Sequence, residues 1–135
     1  MVKMHLKRLA APRSWPIARK SNMFIIRPYP GGHGFAHGLA LRTLLVEILG
    51  LASSASDLQK ILAHKQVLVD GVPRTHPRHF VGLLDVIELP QLKQAFRLVL
   101  SAKGSLIALP VAGDEAKLKV CKIVGKTTNF IFERY

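Results

Sequence analysis

The sequence predicts an α+β protein with three successive parts: a basic extended N-terminal arm, a compact module of two helices and short strands, and a partial β region. Three observations support this class. The first 20 residues hold six Lys or Arg side chains and no acid. Apolar residues then recur at helical spacing over 39–49. After residue 66, short apolar segments alternate with turn signals. We expect the three parts to span 1–38, 39–89 and 90–135.

Composition narrows the classes of partner. The 135 residues suffice for one domain with a core, and the formal net charge of +12 favours nucleic acid or an anionic membrane as partner. A membrane is the weaker choice, because the longest apolar stretch, 39–52, is interrupted by Arg42 and Glu47 and is too short to span a bilayer. The single Cys121 excludes an internal disulfide and is typical of a reducing cytosol.

The basic arm precedes every carboxylate of the chain, since Glu47 is the first acid. It also contains Pro12 and Pro16 and too little apolar surface for a core of its own. We therefore expect residues 1–20 to stay extended until a polyanion neutralises them. The alternative is a solvated tail that keeps the protein soluble. The following segment, 23–38, is rich in Pro and Gly and is predicted to be irregular.

Two helices are predicted in the module. The first spans Leu39 to Leu49 and ends at Gly50, whose left-handed conformation is favourable just past a helix. The second begins with Ser53 or Ser54 as N-cap, and its buried stripe contains Leu58, Ile61 and Leu62.

Short strands are predicted in the remainder of the chain. A tight turn at Asp70-Gly71 follows the first of them, and a basic loop from Pro73 to Phe80 follows the turn. Asp114 and Glu115 are expected to begin a helical turn rather than to form an acid–base pair. Cys121 is predicted to be a packed small hydrophobe. The predicted strands are 67–69, 86–89, 96–100, 105–111 and 118–124.

Several motifs carry a resemblance to known families. The segment 44–89, with ILGLASSASDLQKILAHKQVLVDGVPR and VGLLDVIEL, resembles the alpha-L RNA-binding domain. The arm HLKRLAAPRSW, the loop RPYPGG, this module and the later KLKVCKIVGKT together resemble the archaeal and eukaryotic small-subunit ribosomal protein family "S four e". The resemblance extends from His5 to Thr127.

The resemblance implies a structural constituent of the small ribosomal subunit, cytoplasmic and located in the ribosome. Its implied partners are small-subunit ribosomal RNA and neighbouring ribosomal proteins, with no membrane, no small-molecule substrate and no enzyme activity. The chain departs from the family in two ways. Its second helix has Lys60 as the main cation where family members have several. Family members also continue beyond the KIVGKT-like stretch through a central β domain and a KOW-type barrel.

Basic side chains of the arm, the loop and the module are the candidate RNA contacts, because RNA duplexes are recognised mainly by shape, phosphate and 2′-hydroxyl. Trp15 and Tyr29 could stack on bases, although Trp15 could equally cover the core of the module. The predicted RNA-binding residues are Lys3, His5, Lys7, Arg8, Arg13, Arg19, Lys20, Arg27, Arg42, Lys60, Lys65, Arg74 and Arg78.

Other functional classes receive less support from the sequence. The histidine pairs 33/37 and 76/79 suggest a metal site, but structural zinc usually needs Cys pairs and the chain has one Cys. We therefore expect no metal and no cofactor. The sequence shows no Ser/His/Asp or Cys/His catalytic set. The alternative to a ribosomal protein is a free-standing RNA-binding factor acting on ribosomes or structured RNA, which would lack the arm and the KLKVCKIVGKT segment.

Overall fold

Nine short strands and two helices form the fold of the part of the chain that the structure describes. The structure, a computed structural model, describes residues 5–64 and 66–128. The helices are α1 (Leu41–Thr43), which continues as a π-helical segment (Leu44–Ile48), and α2 (Ala55–Ala63). The strands are β1 (His5–Lys7), β2 (Phe24–Ile26), β3 (Gly38–Ala40), β4 (Leu68–Val69), β5 (Val72–Pro73), β6 (Phe80–Gly82), β7 (Val86–Leu89), β8 (Gln94–Leu100) and β9 (Leu106–Val111).

The strands form three antiparallel sheets. The largest has five strands in the order β5-β4-β7-β8-β9, and the pairs β1-β2 and β3-β6 form two smaller sheets. The predicted α+β class is therefore confirmed. Within the described ranges no helix is long and apolar enough to cross a membrane.

Helix α1 begins two residues later than predicted. Residues 38–40 instead pair with β6, with Leu39 opposite Val81. The apolar face of the helix is as expected, because Leu44 and Leu45 are almost completely buried. The chain then turns at Gly50, whose φ of +64° is the left-handed conformation predicted there.

The N-cap of α2 is confirmed at Ser54. Its hydroxyl oxygen accepts a hydrogen bond from the Asp57 backbone N–H at 3.1 Å. Leu58 and Leu62 are 1% exposed and join the core, while Ile61 is partly buried against it. The stripe predicted from the sequence thus faces the core.

The turn at 70–71 lies where the sequence predicts it, and a second turn at 101–104 joins the strands predicted at 96–100 and 105–111. Asp70 and Gly71 have φ of +50° and +76°, as a two-residue hairpin turn requires, and Gly104 has φ of +79°. The strand at Val86–Leu89 and the β8–β9 hairpin are confirmed. Strand β6 occupies the end of the predicted basic loop and was missed, because its partner β3 lies about 40 residues earlier in the chain.

The basic N-terminal segment is packed onto the rest of the molecule. Strand β1 pairs with β2, with His5 opposite Ile26. Leu6, Ala11 and Trp15 are between 2% and 8% exposed and belong to the core. The expectation of an extended, unpacked arm is therefore wrong for residues 5–20. Their apolar side chains are too few for a separate core, but they complete the core built by the helices and the sheet.

An ion pair ties this segment to the helical region. The Arg8 guanidinium binds the Glu47 carboxylate through two hydrogen bonds, Nη2 to Oε1 at 2.5 Å and Nη1 to Oε2 at 3.1 Å. The Arg8 side chain is only 7% exposed and that of Glu47 is 25% exposed. Arg8 Nη1 also donates to the Ala18 carbonyl oxygen at 3.2 Å. A bidentate pair of this kind fixes both distance and orientation.

The segment 118–124 corrects two predictions. It forms no strand, and its apolar side chains are exposed, with Ile123 at 91% and Val124 at 93%. Cys121 is likewise exposed rather than packed. Alternation of apolar and basic residues supplies a strand-like face, but the face is buried only where a neighbouring strand pairs with it. A short 3-10 helix at Glu115–Lys117 follows Asp114, as predicted.

Replacing Glu47 by Gln should destabilise the fold, because the nearly buried Arg8 guanidinium loses its counter-charge. Breaking a buried pair costs about 3–5 kcal/mol, and the partial exposure of Glu47 favours about 3 kcal/mol. Guanidinium denaturation followed by Trp15 fluorescence measures the change in the free energy of unfolding. Glu115→Gln, at an exposed carboxylate, is the control and should have little effect. Equal stability of both variants would contradict the structural role of the pair.

Candidate nucleic-acid interface

The predicted RNA-binding residues occupy different environments. Arg8 is buried and its charge is engaged by Glu47. Lys3 and Lys65 lie outside the described residues. Half-buried members are Arg19, Arg27, Arg74 and Arg78. Exposed members are His5, Lys7, Arg13, Lys20, Arg42 and Lys60.

A groove between strands β1 and β2 and helix α1 brings three predicted residues together, His5, Arg8 and Arg42. Strands β1 and β2 contribute His5 and Phe24, and α1 contributes Arg42. The groove has a volume of about 670 Å³. Arg8 and Glu47 also line it, so their ion pair holds the two walls at a fixed separation.

Arg19 organises the turn that follows a short 3-10 helix at Arg8–Ala10. Its Nη1 donates to the Ala11 carbonyl oxygen at 2.9 Å, and its Nη2 donates to the Pro12 carbonyl oxygen at 2.8 Å. Trp15, three residues beyond Pro12, is 2% exposed. Of the two roles left open for Trp15 by the sequence, the structure supports the core.

A second concave region lies beside the Pro/Gly loop. The Arg78 guanidinium carbon lies 4.5 Å from the centre of the Tyr29 ring, and the Arg27 guanidinium carbon lies 5.3 Å from the centre of the Phe35 ring. Arg78 Nε donates to the Arg27 carbonyl oxygen at 2.9 Å, which holds the two arginines together. The sequence predicts Arg27, Arg78 and Tyr29 as candidate RNA contacts but not Phe35. Phe35 lies in a Gly-rich segment, whose pattern does not predict where its side chain packs.

A charge cluster that the sequence did not reveal anchors the segment after the β sheet. Lys119 Nζ contacts Asp70 Oδ2 at 2.5 Å and Asp85 Oδ1 at 2.7 Å. Asp85 Oδ2 also accepts the Gly82 N–H at 2.8 Å. Arg97 adds a second anchor by donating to the Leu118 carbonyl oxygen. The residues are far apart in sequence, so spacing alone could not group them.

The ionisation of this cluster follows from its contacts. Burial pushes the pKa of Asp70 upward, but hydrogen bonds from Lys119 and from the Val86 N–H outweigh it and leave that pKa below its usual value. Burial pushes the pKa of Lys119 downward, but both carboxylates outweigh it and raise that pKa. In the basic loop, burial and then the Arg74 charge lower the pKa of His79, so this side chain is neutral at pH 7.

The α+β fold and the exposed cations define a class of basic proteins whose surfaces suit polyanions. Comparison with known families is more specific. Residues 2–35 match the RS4NT (NUC023) domain, and residues 92–129 match the ribosomal family S4e. The second of these is the family "S four e" that the motifs of the chain resemble.

Proteins named small ribosomal subunit protein eS4 are similar to most of this chain. The small ribosomal subunit protein eS4 of Methanopyrus kandleri is 41% identical over 126 residues, which are 93% of this chain and 48% of that protein. The protein of the same name from Methanococcus aeolicus is 44% identical over 123 residues, 91% of this chain and 50% of that protein. The chain therefore spans about half the length of these relatives.

A solved structure also matches. The crystal structure of the 30S ribosomal protein S4e from Thermoplasma acidophilum has a TM-score of 0.50 and 26% sequence identity to this chain. The match covers 59% of this chain and 41% of that one.

The Lys119 anchor gives a testable dependence on pH. Because the Asp70 pKa is lowered, the stabilisation that the Asp70 carboxylate gives to this anchor is complete above the usual pKa of 3.8. It is lost as the pH falls through the pKa of Asp70 in the folded protein. Because the Lys119 pKa is raised, the stabilisation that the Lys119 ammonium gives to this anchor is complete below the usual pKa of 10.5. It is lost as the pH rises through the pKa of Lys119 in the folded protein. A spin label on Cys121 should therefore become more mobile only as the pH falls below 3.8.

Two variants check the cause of that change. Lys119→Ala should make the label mobile already at pH 7, whereas Lys122→Ala, at an exposed lysine, should leave it unchanged. Trp15 fluorescence should show that the core stays folded in each case. An immobile label in Lys119→Ala would contradict the anchoring role of the cluster.

Proposed function

We propose that the chain is a non-enzymatic structural constituent of the small ribosomal subunit, where it binds ribosomal RNA and supports translation in the cytoplasm. The observation that carries this proposal is the identity of 41% and 44% to proteins named small ribosomal subunit protein eS4, over more than nine tenths of the chain. The net charge of +12 supports an RNA partner. Neighbouring ribosomal proteins are the further partners that membership of a subunit entails.

The proposed organisation keeps the three parts inferred from the sequence. Residues 1–38 supply basic side chains, 39–89 act as an alpha-L RNA-binding module, and 90–135 supply the beginning of a β-rich part. Packing of the first part onto the module makes them a single RNA-binding surface rather than a tail with a separate domain.

Exposed cations on that surface are the proposed phosphate contacts. Arg42 and Lys60 project from the two helices, and Lys7, Arg13 and Lys20 project from the N-terminal segment. Such side chains reach phosphates without a loss of core packing. Arg8 has a different role in this proposal, since its guanidinium neutralises Glu47. Lys3 and Lys65 remain proposed contacts on the strength of the sequence alone.

Sedimentation of a tagged chain, expressed in the organism that encodes it, tests the proposal. The chain should sediment with free small subunits and with assembled ribosomes. A chain that stays at the top of the gradient, or that follows free large subunits only, would favour the free-standing RNA-binding factor instead.

Affinity for deproteinised small-subunit ribosomal RNA should fall steeply with salt. With roughly six to ten phosphate contacts, binding should weaken about a thousandfold or more between about 50 and 200 mM salt, because each contact releases counterions. Filter binding over this range measures the slope. A nearly flat response would contradict binding through the phosphate backbone.

A single contact can be tested against a matched loss of charge. Arg42→Ala should weaken binding to the same RNA by about tenfold and reduce the salt slope by about one, because one phosphate contact is lost. Lys103→Ala removes the same charge from the exposed β8–β9 turn and should change affinity by less than about twofold. Equal losses in both variants would mean that Arg42 acts only through net charge.

A further inference from the structure

The cavity beside the Pro/Gly loop has features that phosphate binding does not require. We propose that this cavity, hereafter the aromatic pocket, holds one unstacked nucleotide of an RNA strand. Its base lies against an aromatic ring, and its phosphate lies against a guanidinium. The proposal rests on the proposed function in that the ligand is RNA, and it adds a subsite that recognises single-stranded nucleotides. Its lining includes Arg27, Tyr29, Gly31, Phe35, Arg78 and Phe80.

Two aromatic rings of the pocket, those of Tyr29 and Phe35, are unusually accessible, whereas Phe80 is buried. Tyr29 is 43% exposed and Phe35 is 38% exposed, although large apolar rings are normally buried. Each ring is accompanied by a guanidinium, with Arg78 at 4.5 Å from the Tyr29 ring and Arg27 at 5.3 Å from the Phe35 ring. Rings and guanidinium planes are the surfaces on which unstacked RNA bases lie.

Charge in the pocket favours an anionic ligand. Among the described residues that line it, none is acidic, and two are arginines. His33 contributes less, because its Nε2 lies 3.8 Å from Asp85 Oδ1 outside the pocket. A guanidinium binds a phosphate with two parallel hydrogen bonds, so the Arg27 guanidinium favours a nucleotide over a neutral base or peptide.

Size excludes a duplex. The cavity holds about 290 Å³, which is at the lower end of the range of about 300–1,000 Å³ typical of ligand pockets. A single base fits this scale. In a paired A-form helix the bases are stacked and the major groove is too deep for side chains to read, so the ligand must be single-stranded.

The walls of the pocket are fixed before any ligand binds. The Tyr29 N–H donates to the Arg78 carbonyl oxygen at 2.9 Å, and Arg78 Nε donates to the Arg27 carbonyl oxygen at 2.9 Å. Gly31 lies so close to Phe80 that a Cβ atom at this position would overlap its ring. A pocket held in this way loses little entropy on binding.

The chain carries its own reporter for this pocket. Trp15 is the single tryptophan, and its ring centre lies 5.4 Å from that of Phe35. Because Trp15 is 2% exposed, RNA elsewhere on the surface does not touch it. A base that enters against Phe35 should therefore alter the emission of Trp15.

The experiment titrates the full chain with a short single-stranded oligoadenylate and, separately, with a duplex RNA. Both RNAs carry a label for anisotropy, and Trp15 emission is recorded in parallel. The single strand should change Trp15 emission in a saturable way, and the duplex should bind without changing it. Tyr29→Leu should weaken single-strand binding about 5- to 150-fold, as loss of one stacked base does, and leave duplex binding within about twofold.

Two further variants separate stacking from folding. Tyr29→Phe keeps the ring and should bind like the wild type. Leu109→Ala removes a comparably exposed apolar side chain from β9 and should change neither affinity. Thermal melts check that each variant is folded. Should Tyr29→Leu fail to fold, the wild-type Trp15 response to the single strand decides the matter.

The outcomes distinguish the two proposals. Unchanged Trp15 emission at saturating single strand, or equal affinity of Tyr29→Leu and Tyr29→Phe, overturns the nucleotide pocket and leaves Tyr29 and Phe35 as packing residues. If the duplex still binds with a steep salt dependence, the proposed function survives that result. If neither RNA binds at low salt, both proposals fail.

Discussion

The ion pair between Arg8 and Glu47 is the contact on which the arrangement of this molecule depends. It joins the most basic segment of the chain to the first carboxylate in the sequence, across 39 residues. Without that carboxylate, a guanidinium that is 7% exposed would be costly to bury. The pair lets Leu6 and Trp15 enter the core and fixes one wall of the groove in which His5 and Arg42 meet. Neutralisation of Arg8 by Glu47 therefore allows the basic N-terminal segment to pack against the core.

Sequence reasoning succeeded where the determinants are local. The Ser54 cap, the Gly50 helix end and the Asp70-Gly71 turn each depend on a few consecutive residues, and all were predicted. Strands β1, β2, β3 and β6 were missed because each is three residues long and pairs at a distance, so the prediction that 23–38 is irregular is wrong at β2. The strand predicted at 118–124 is wrong for the opposite reason. The pattern of the segment is typical of a strand, but no described strand pairs with it. Pairing is a tertiary property that alternation alone does not establish.

The candidate interface was predictable in composition but not in geometry. A list of cations follows from the sequence, yet only the structure separates Arg8, which is neutralised within the fold, from Arg42, which is exposed. Burial of Trp15 beside the half-exposed Phe35 likewise depends on contacts between separate segments. The resemblance seen in the sequence anticipated the match to the S4e family. The Lys119 cluster could be found only in the structure, because Asp70, Asp85 and Lys119 meet only after folding.

The exposed stretch around Cys121 has a consequence for the behaviour of the purified chain. Leu118, Val120, Ile123 and Val124 form an apolar, β-prone surface that invites strand-to-strand association between molecules. Lys119 and Lys122 interrupt this surface, and their charges oppose such association. The charge of Lys119 is partly neutralised by Asp70 and Asp85. An exposed thiol at the centre of the same stretch adds a covalent route to dimers under oxidising conditions. Colloidal stability of the free chain therefore depends on low salt, which preserves charge repulsion, and on a reducing buffer.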